Sequence, residues 1–181
     1  MLLKSLQKQP ADKILALMAA YRADTRDTKV DLGVGVYKDA SGNTPVMRAV
    51  KEAEKRLQAE QTSKAYVGLA GDPAFSGVMI DLVLGDTIAR DRISAVATPG
   101  GTGAIRQALE LIKMAAPEAT VWLSNPTWPN HPSIIKYLDM KSADYRYFNN
   151  ETRGVDFDGM LADLDGVQTG DVVLLHGCCH N

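Results

Sequence analysis

Hydrophobic residues follow two spacings along the second half of the chain, and the two spacings alternate. Apolar residues three and four positions apart predict helices over residues 102–115, 131–138 and 157–164. Short apolar runs predict strands over residues 93–98, 120–124, 143–148 and 171–175. Strands that alternate with helices predict an α/β fold, in which a mostly parallel sheet carries helices on its faces.

In the first half of the chain, helical spacing of hydrophobic residues is interrupted by extended, turn and loop segments. Helical spacing predicts a helix over residues 11–24, and residues 30–37 read as extended chain before a turn over 38–43. Thr44 and Pro45 suit the cap and first position of a helix that continues to Gln61. Glycines and Pro73 then mark a loop, and the apolar residues that follow it predict another helix.

The segment between the strand at 93–98 and its following helix carries the most informative chemistry. Gly100, Gly101 and Gly103 allow a tight turn and a close approach of the backbone to a ligand. Because the first amides of a helix have no partner within the helix, and the helix dipole is positive there, this turn is typical of a phosphate site. The pattern is also that of a tight strand–helix connection without a ligand.

A nucleotide-binding oxidoreductase domain is the main alternative, since it uses the same strand–glycine–helix unit. The chain does not match its fingerprint, because the run is not Gly-x-Gly-x-x-Gly and no P-loop lysine follows. The next strand also ends in Ser124 and Asn125, where that domain would place an acidic residue.

Composition argues against nucleic-acid binding and against a membrane or secreted location. A net charge of −2 over 181 residues gives no basic footprint for nucleic acid. No apolar run is long enough to span a membrane or to form a signal peptide, which predicts a cytoplasmic protein.

A small cluster of histidines and cysteines near residue 181 raises the question of a metal. His176 and His180 flank the adjacent pair Cys178 and Cys179, which supplies the ligand types that zinc prefers. Adjacent cysteines on an extended chain point to opposite faces, however, so the spacing argues against a shared metal ion. We therefore expect no metal site, and a metal-binding module remains the weaker alternative.

Five motifs occupy residues 32–37, 66–68, 100–103, 125–131 and 176–181. Taken together, they resemble the aspartate and aromatic amino-acid aminotransferases, fold-type I enzymes that use pyridoxal 5′-phosphate. The resemblance covers nearly the whole chain, and it implies the large domain of that fold. It divides the chain into residues 1–45, an N-terminal arm and part of the small domain, and residues 46–181, the first part of the large cofactor-binding domain.

The resemblance implies cofactor contacts for seven residues: Gly100, Gly101, Thr102, Trp128, His131, Asn181 and Tyr66. The glycine turn and Thr102 would bind the phosphate through amides and a hydroxyl. Trp128 would stack on the pyridine ring, and His131 would support the carboxylate that pairs with the ring nitrogen.

The resemblance also implies substrates and a partner. Gly35, Trp128 and Asn181 would contact the substrate, an aspartate-type or aromatic amino acid that exchanges its nitrogen with a 2-oxo acid. Tyr66 would reach the phosphate in the neighbouring subunit, which implies a homodimer.

The family's Schiff-base lysine has no counterpart here, because no lysine stands in a Ser-x-x-Lys-Asn-Phe-Gly setting. A strand that leads into Asn181 and stops also suggests that the chain is the N-terminal part of a longer protein. We therefore expect no catalytic residue within these 181 residues and no activity from them alone.

Overall fold

A computed structural model describes Lys4 and residues 13–33, 35–177 and 179–180. Contacts within the chain divide it into two units, Met1–Lys64 and Ala65–Asn181. The domain boundary expected at residues 45–46 concerns the small and large domains of an aminotransferase, and it stays a prediction.

The described part of the first unit forms the helices α1 (Lys13–Ala23) and α2 (Arg48–Glu60). The chain folds back after α1 through Lys29, whose Nζ donates to the carbonyl oxygens of Tyr21 and Asp24 at 3.0 and 2.5 Å. A lysine at this place satisfies carbonyls that the end of a helix leaves without partners.

The predicted turn over 38–43 is confirmed. One carboxylate oxygen of Asp39 accepts from the amides of Ser41 and Asn43, both at 2.9 Å. Gly42 adopts φ +79°, which a residue without a side chain reaches at no steric cost.

The predicted start of α2 is wrong. Thr44 does not cap the helix and Pro45 is not its first residue, because the chain stays extended through Met47 (φ −61°, ψ 144°) and the helix begins at Arg48. The fixed φ of proline suits an extended segment as well as the first turn of a helix, so the sequence signal had two readings.

The second unit alternates helices and strands as predicted. Its helices are α3 (Pro73–Leu84), α4 (Gly100–Ala115), α5 (Asn130–Tyr137) and α6 (Phe157–Leu164), with a single 3-10 turn at Arg90–Arg92. Its strands are β1 (Thr120–Asn125), β2 (Lys141–Arg146), β3 (Phe148–Asn149), β4 (Gly154–Val155) and β5 (Val172–Val173).

Three of the strands form a parallel sheet in the order β2-β1-β5, with β1 in the middle. The register pairs Thr120 with Lys141 and Asn125 with Arg146, so β1 and β2 end together. β5 pairs with β1 through Val172 and Val173. The fold class predicted from the sequence, a mostly parallel sheet flanked by helices, is therefore confirmed, although β5 is shorter than the predicted strand over 171–175.

The core lies between one face of β1 and the helices α4 and α5. Val121 and Leu123 point to the same face, because side chains two apart in a strand share a side, and they pack with Leu109 of α4 and Ile135 of α5. All four residues are at most 3% exposed. The apolar face predicted for α4 is thus the face that it buries.

The opposite face of β1 is held by Asp171, which precedes β5. Its carboxylate accepts from the Thr120 amide at 2.8 Å, the Trp122 Nε1 at 3.1 Å and the Gln168 amide at 3.1 Å. These donors hold the pKa of Asp171 below its usual range. One carboxylate therefore fixes the beginning of β1 to the turn that leads into β5.

Helix α6 is attached to β2 by an ion pair. Asp163 accepts from the backbone amide of Arg146 and from two nitrogens of its guanidinium, at 2.7 to 2.9 Å. These hydrogen bonds lower the pKa of Asp163 to about 2. The pair lies at the last residue of β2, close to the edge where the strands end.

The strand predicted over 93–98 is wrong. Ile93 is extended (φ −112°, ψ 129°), but the Ala97 amide donates to the Ala70 carbonyl at 2.9 Å, and the described residues form no ladder with this segment. An apolar run becomes a strand only where a neighbouring strand accepts and donates its hydrogen bonds.

No helix in the described ranges is long and apolar enough to cross a membrane. The cytoplasmic location stays a prediction.

We expect Leu123→Ala to lower the free energy of unfolding of the chain by about 2–5 kcal/mol, because the substitution leaves a cavity between β1, α4 and α5. Urea unfolding followed by far-ultraviolet circular dichroism measures this. Leu111→Ala is the matched control, since Leu111 is 67% exposed on α4, and its effect should stay within about 0.5 kcal/mol. Equal losses for the two variants would contradict the core described above.

Candidate functional site

The amino end of α4 is open to a ligand. Its capping position is Pro99, and no side chain of the described residues caps the helix. Gly100 adopts φ +70°, and a Cβ on Gly100 or Gly101 would meet no atom of the described residues within 4 Å. These two glycines therefore face open space, and they leave the first amides of a sixteen-residue helix accessible.

Gly103 has a different role from its neighbours. A Cβ there would lie 2.9 Å from Cδ of Pro99, so a side chain would not fit without movement. Thr98 contributes a second local contact, since its hydroxyl donates to the Gly100 carbonyl at 3.2 Å. The turn is thus shaped by packing at Gly103 and left open at Gly101 and Thr102, both of which are exposed.

This end of α4 lies at the edge of the sheet where the strands end. Helix α4 packs along β1 through Leu109, and only four residues join its last residue, Ala115, to Thr120 at the beginning of β1. The helix therefore runs antiparallel to β1, and its first turn points to the carboxyl ends of the strands. Ligands of parallel α/β sheets bind at this edge.

The turn between β1 and α5 places Trp128 and His131 at the same edge. Trp128 is half-buried, and its ring meets that of His131 edge-on with centroids 5.3 Å apart. His131 is 5% exposed, and its Nδ1 lies 2.8 Å from the Thr127 hydroxyl. The position of His131 at the beginning of a helix agrees with the sequence, and its burial gives it a fixed orientation.

Four aromatic rings continue from Trp128 in a row. His131 meets His176 edge-on at 5.5 Å, His176 stacks on His180 at 4.1 Å, and His180 stacks on Tyr147 at 4.0 Å. We call these five residues the aromatic row. The row crosses the carboxyl ends of all three strands, since Trp128 follows β1, Tyr147 follows β2 and the two histidines follow β5.

Two hydroxyl groups lie beneath the row. Ser124, 1% exposed at the end of β1, donates to the Pro126 carbonyl at 2.9 Å, and its Oγ is 3.2 Å from His180 Nε2 and 3.5 Å from His176 Nε2. Thr127 Oγ1 is also 3.5 Å from His176 Nε2. Among the described residues, no buried side-chain nitrogen or oxygen lacks a hydrogen-bond partner.

Burial lowers the pKa of His131, and positive charge on His176 or His180 would lower it further. The pKa of His176 is lowered by burial and then by His180. Both effects favour the neutral imidazole, because a second charge in this row would face a first one at short range. The site therefore holds His131 and His176 as hydrogen-bonding groups without charge at neutral pH.

Five of the eight site residues expected from the sequence lie at one edge of the sheet. Trp128 and His131 are in contact, and the turn of Gly100, Gly101 and Thr102 lies at their edge of the sheet.

The other three expected residues are Tyr66, Gly35 and Asn181. Tyr66 is fully exposed, Gly35 lies in the first unit and is exposed, and Asn181 lies outside the described residues. The roles of all these residues stay predictions.

Sequence reasoning missed most of the aromatic row as a site. The sequence pattern assigned no role to Ser124, Thr127 and Tyr147, and it pointed to His176 and His180 as possible metal ligands and as part of the motif at residues 176–181. The signal that could have found them is their place directly at or after the end of a strand. Within the described ranges no group of three or more His, Cys, Asp or Glu residues is arranged to hold a metal ion, and Cys179 is exposed with a free thiol.

Comparison with known proteins gives a consistent match. The family model described as Aminotransferase class I and II matches residues 27–181. An aromatic-amino-acid aminotransferase of Paracoccus denitrificans is 56% identical over 180 residues, which cover 99% of this chain and 46% of that protein. An aspartate aminotransferase of Haemophilus influenzae is 45% identical over 179 residues, covering 97% of this chain and 45% of that protein.

A solved structure gives the same result. The aromatic-amino-acid aminotransferase of Burkholderia pseudomallei, described as covalently bound to pyridoxal phosphate, is 39% identical and superposes with a TM-score of 0.92. The superposition covers 100% of this chain and 46% of that one. The chain thus spans less than half the length of the proteins that it matches.

Because the pKa values of His131 and His176 are lowered in the folded chain, the unfolded chain binds more protons as pH falls through the ordinary histidine value. We expect the free energy of unfolding to be highest above about pH 7.5 and to decrease as the pH falls from about 7.5 to about 5.5. Urea unfolding at several pH values measures the slope.

His131→Gln tests the assignment of that slope, since glutamine keeps a polar group but does not titrate. The variant should lose part of the pH dependence, whereas Lys136→Gln, on the exposed side of α5, should keep all of it. An unchanged slope in His131→Gln would show that His131 is not one of the groups responsible.

Proposed function

The chain belongs to the class I and II aminotransferase family, and on this premise we propose that it supplies the cofactor-binding half of a pyridoxal-phosphate-dependent aminotransferase. The reaction would transfer nitrogen between an aspartate-type or aromatic amino acid and a 2-oxo acid. We use "the complete protein" for this chain joined to a segment that corresponds to the unmatched part of its relatives.

Membership in the family confirms two expectations from the sequence. The resemblance to aspartate and aromatic amino-acid aminotransferases was correct, and so was the fold class, the large-domain architecture of fold-type I enzymes. The matches give no support to a nucleotide-binding oxidoreductase.

One observation carries the proposal: the open first turn of α4 lies at the same sheet edge as Trp128 and His131. The donors of this turn fit a phosphate, since accessible amides and the positive end of a helix dipole favour an anion. The indole of Trp128 offers a flat apolar face for an aromatic ring. A phosphate group and a pyridine ring in one molecule match these two features.

The chain's own residues would have distinct tasks. The amides of Gly101 and Thr102 and the Thr102 hydroxyl would hold the phosphate, and Trp128 would hold the plane of the ring. His131, buried and neutral, would support the group that pairs with the ring nitrogen. Pyridoxal phosphate, when bound, supplies an electron sink that the side chains of a protein lack.

Substrate and partner contacts form a further part of the proposal. Gly35 and Asn181 would contact the substrate, with Trp128 beside it. Tyr66 would reach the phosphate of a second subunit in a homodimer, and its full exposure supports this, because the described residues leave its side chain uncovered. The lysine that moves the proton would belong to the complete protein outside these 181 residues, and the chain alone would be inactive.

The proposed reaction can be tested directly on the complete protein. Supplied with pyridoxal phosphate, it should convert aspartate or phenylalanine with 2-oxoglutarate to glutamate and the matching 2-oxo acid, measured by chromatography of both products. The protein should also show a pyridoxal-type absorbance band that shifts when the amino acid is added. Copurification with a nicotinamide and the lack of such a band would overturn the proposal.

The phosphate assignment predicts a selective effect of Thr102→Val. Loss of a hydroxyl that donates to a charged group should weaken the affinity of the complete protein for pyridoxal phosphate about tenfold or more. Affinity for pyridoxal, which lacks the phosphate, should not change.

Thr169→Val is the matched control, because Thr169 is an exposed threonine in the turn before β5, at the opposite edge of the sheet. Its affinity for both compounds should equal that of the unmodified protein. Equal weakening of pyridoxal and pyridoxal phosphate by Thr102→Val would contradict the assignment of Thr102 to the phosphate.

A further inference from the structure

We infer that His180 is a positioning residue, which holds the turn that carries Trp128 against the ends of the two neighbouring strands. The inference rests on the proposed function, because it concerns the residue that would hold the cofactor ring. His180 itself need not touch the cofactor to act in this way.

The hydrogen bond of His180 is directed at the turn. Its Nε2 lies 2.8 Å from the carbonyl oxygen of Pro126, two residues before Trp128. A carbonyl oxygen only accepts, so Nε2 of His180 carries a proton. The same nitrogen lies 3.2 Å from Ser124 Oγ, which can accept because its own proton is donated to Pro126.

The ring of His180 is held on both faces. Tyr147 stacks on one face with centroids 4.0 Å apart and planes 12° apart, and His176 stacks on the other at 4.1 Å and 15°. A ring fixed in its plane from both sides can direct its N–H in only a narrow range. The stacking therefore fixes the direction of the hydrogen bond from His180 to Pro126, and it also buries apolar surface.

One side chain thereby joins three strands. Tyr147 directly follows β2, Pro126 directly follows β1, and His180 belongs to the segment after β5. The Pro126 carbonyl receives two donors, from Ser124 at the end of β1 and from His180 in the segment after β5. The backbone of the turn is thus fixed from two sides just before it reaches Trp128.

Two substitutions separate the hydrogen bond from the stacking. His180→Phe keeps a flat ring between Tyr147 and His176 but removes the donor to Pro126. Ser124→Ala removes the other donor to the same oxygen and leaves the ring of His180 in place. If the two donors fix the turn, both variants should change the environment of a cofactor bound against Trp128.

The experiment uses the complete protein and pyridoxal phosphate as the probe. We expect His180→Phe to weaken cofactor binding about threefold to tenfold, as the loss of one neutral hydrogen bond implies. The circular dichroism of the bound cofactor at saturation should also change, since that signal reports the orientation of its ring. Ser124→Ala should change both readouts in the same direction.

Tyr137→Phe is the control, because it removes a hydroxyl from a residue 73% exposed on α5, away from the aromatic row. Its affinity and cofactor dichroism should equal those of the unmodified protein. Urea unfolding of all variants separates a general loss of stability from a local change at the site.

Two outcomes would overturn the inference while the proposed function stands. In one, His180→Phe binds pyridoxal phosphate with unchanged affinity and dichroism. In the other, its affinity falls with its unfolding midpoint while the dichroism at saturation stays unchanged, which would show a structural role only. Failure of the unmodified protein to bind pyridoxal phosphate would instead overturn the proposed function, and this inference with it.

Discussion

The parallel pairing of β1 with β2 and β5 is the constraint on which the rest of the second unit depends. It requires the three strands to end at one edge, and every polar residue that follows a strand is therefore brought to that edge. Burial of Val121 and Leu123 against α4 and α5 stabilises the pairing on one face, and Asp171 anchors the other. The same packing aims the first turn of α4 at the edge where Trp128 and His131 lie.

This arrangement places a polar cluster over an apolar core, and hydrogen bonds within the cluster offset the free-energy penalty of burying polar groups. Ser124 and His131 are buried, yet both have hydrogen-bond partners in the same cluster. Burial favours the neutral imidazole at His131 and at His176, and an imidazole without charge can pack against another ring at short range. The aromatic row thus packs five rings across the edge of the sheet.

The elements that could be predicted from the sequence are those whose hydrogen bonds or apolar faces are satisfied nearby. Helix α6 was predicted with the bounds that it has, and β1 and α5 were predicted to within one or two residues, since their apolar faces meet within the unit. The strand at 93–98 failed because a strand depends on a partner that spacing alone does not reveal. The start of α2 failed because Thr44 and Pro45 suit an extended segment equally well.

Prediction of the candidate site was uneven for a related reason. Trp128, His131 and the turn at Gly100–Thr102 carry local signals, a motif or a helix start, and the sequence therefore predicts them as site residues. Ser124, Thr127 and Tyr147 are ordinary residue types, and their contacts with the histidines come from the strand ends that bring them together. His176 and His180 were noticed for their chemistry, but their stacking follows from tertiary structure.

The central claim is that the first turn of α4 and Trp128 belong to one cofactor site, and a crystal structure of the complete protein grown with pyridoxal phosphate tests it most directly. The account predicts phosphate oxygens within about 3.2 Å of the Gly101 and Thr102 amides, with the pyridine ring stacked on Trp128. A cofactor bound elsewhere, with Gly101, Thr102 and Trp128 facing solvent, would contradict it.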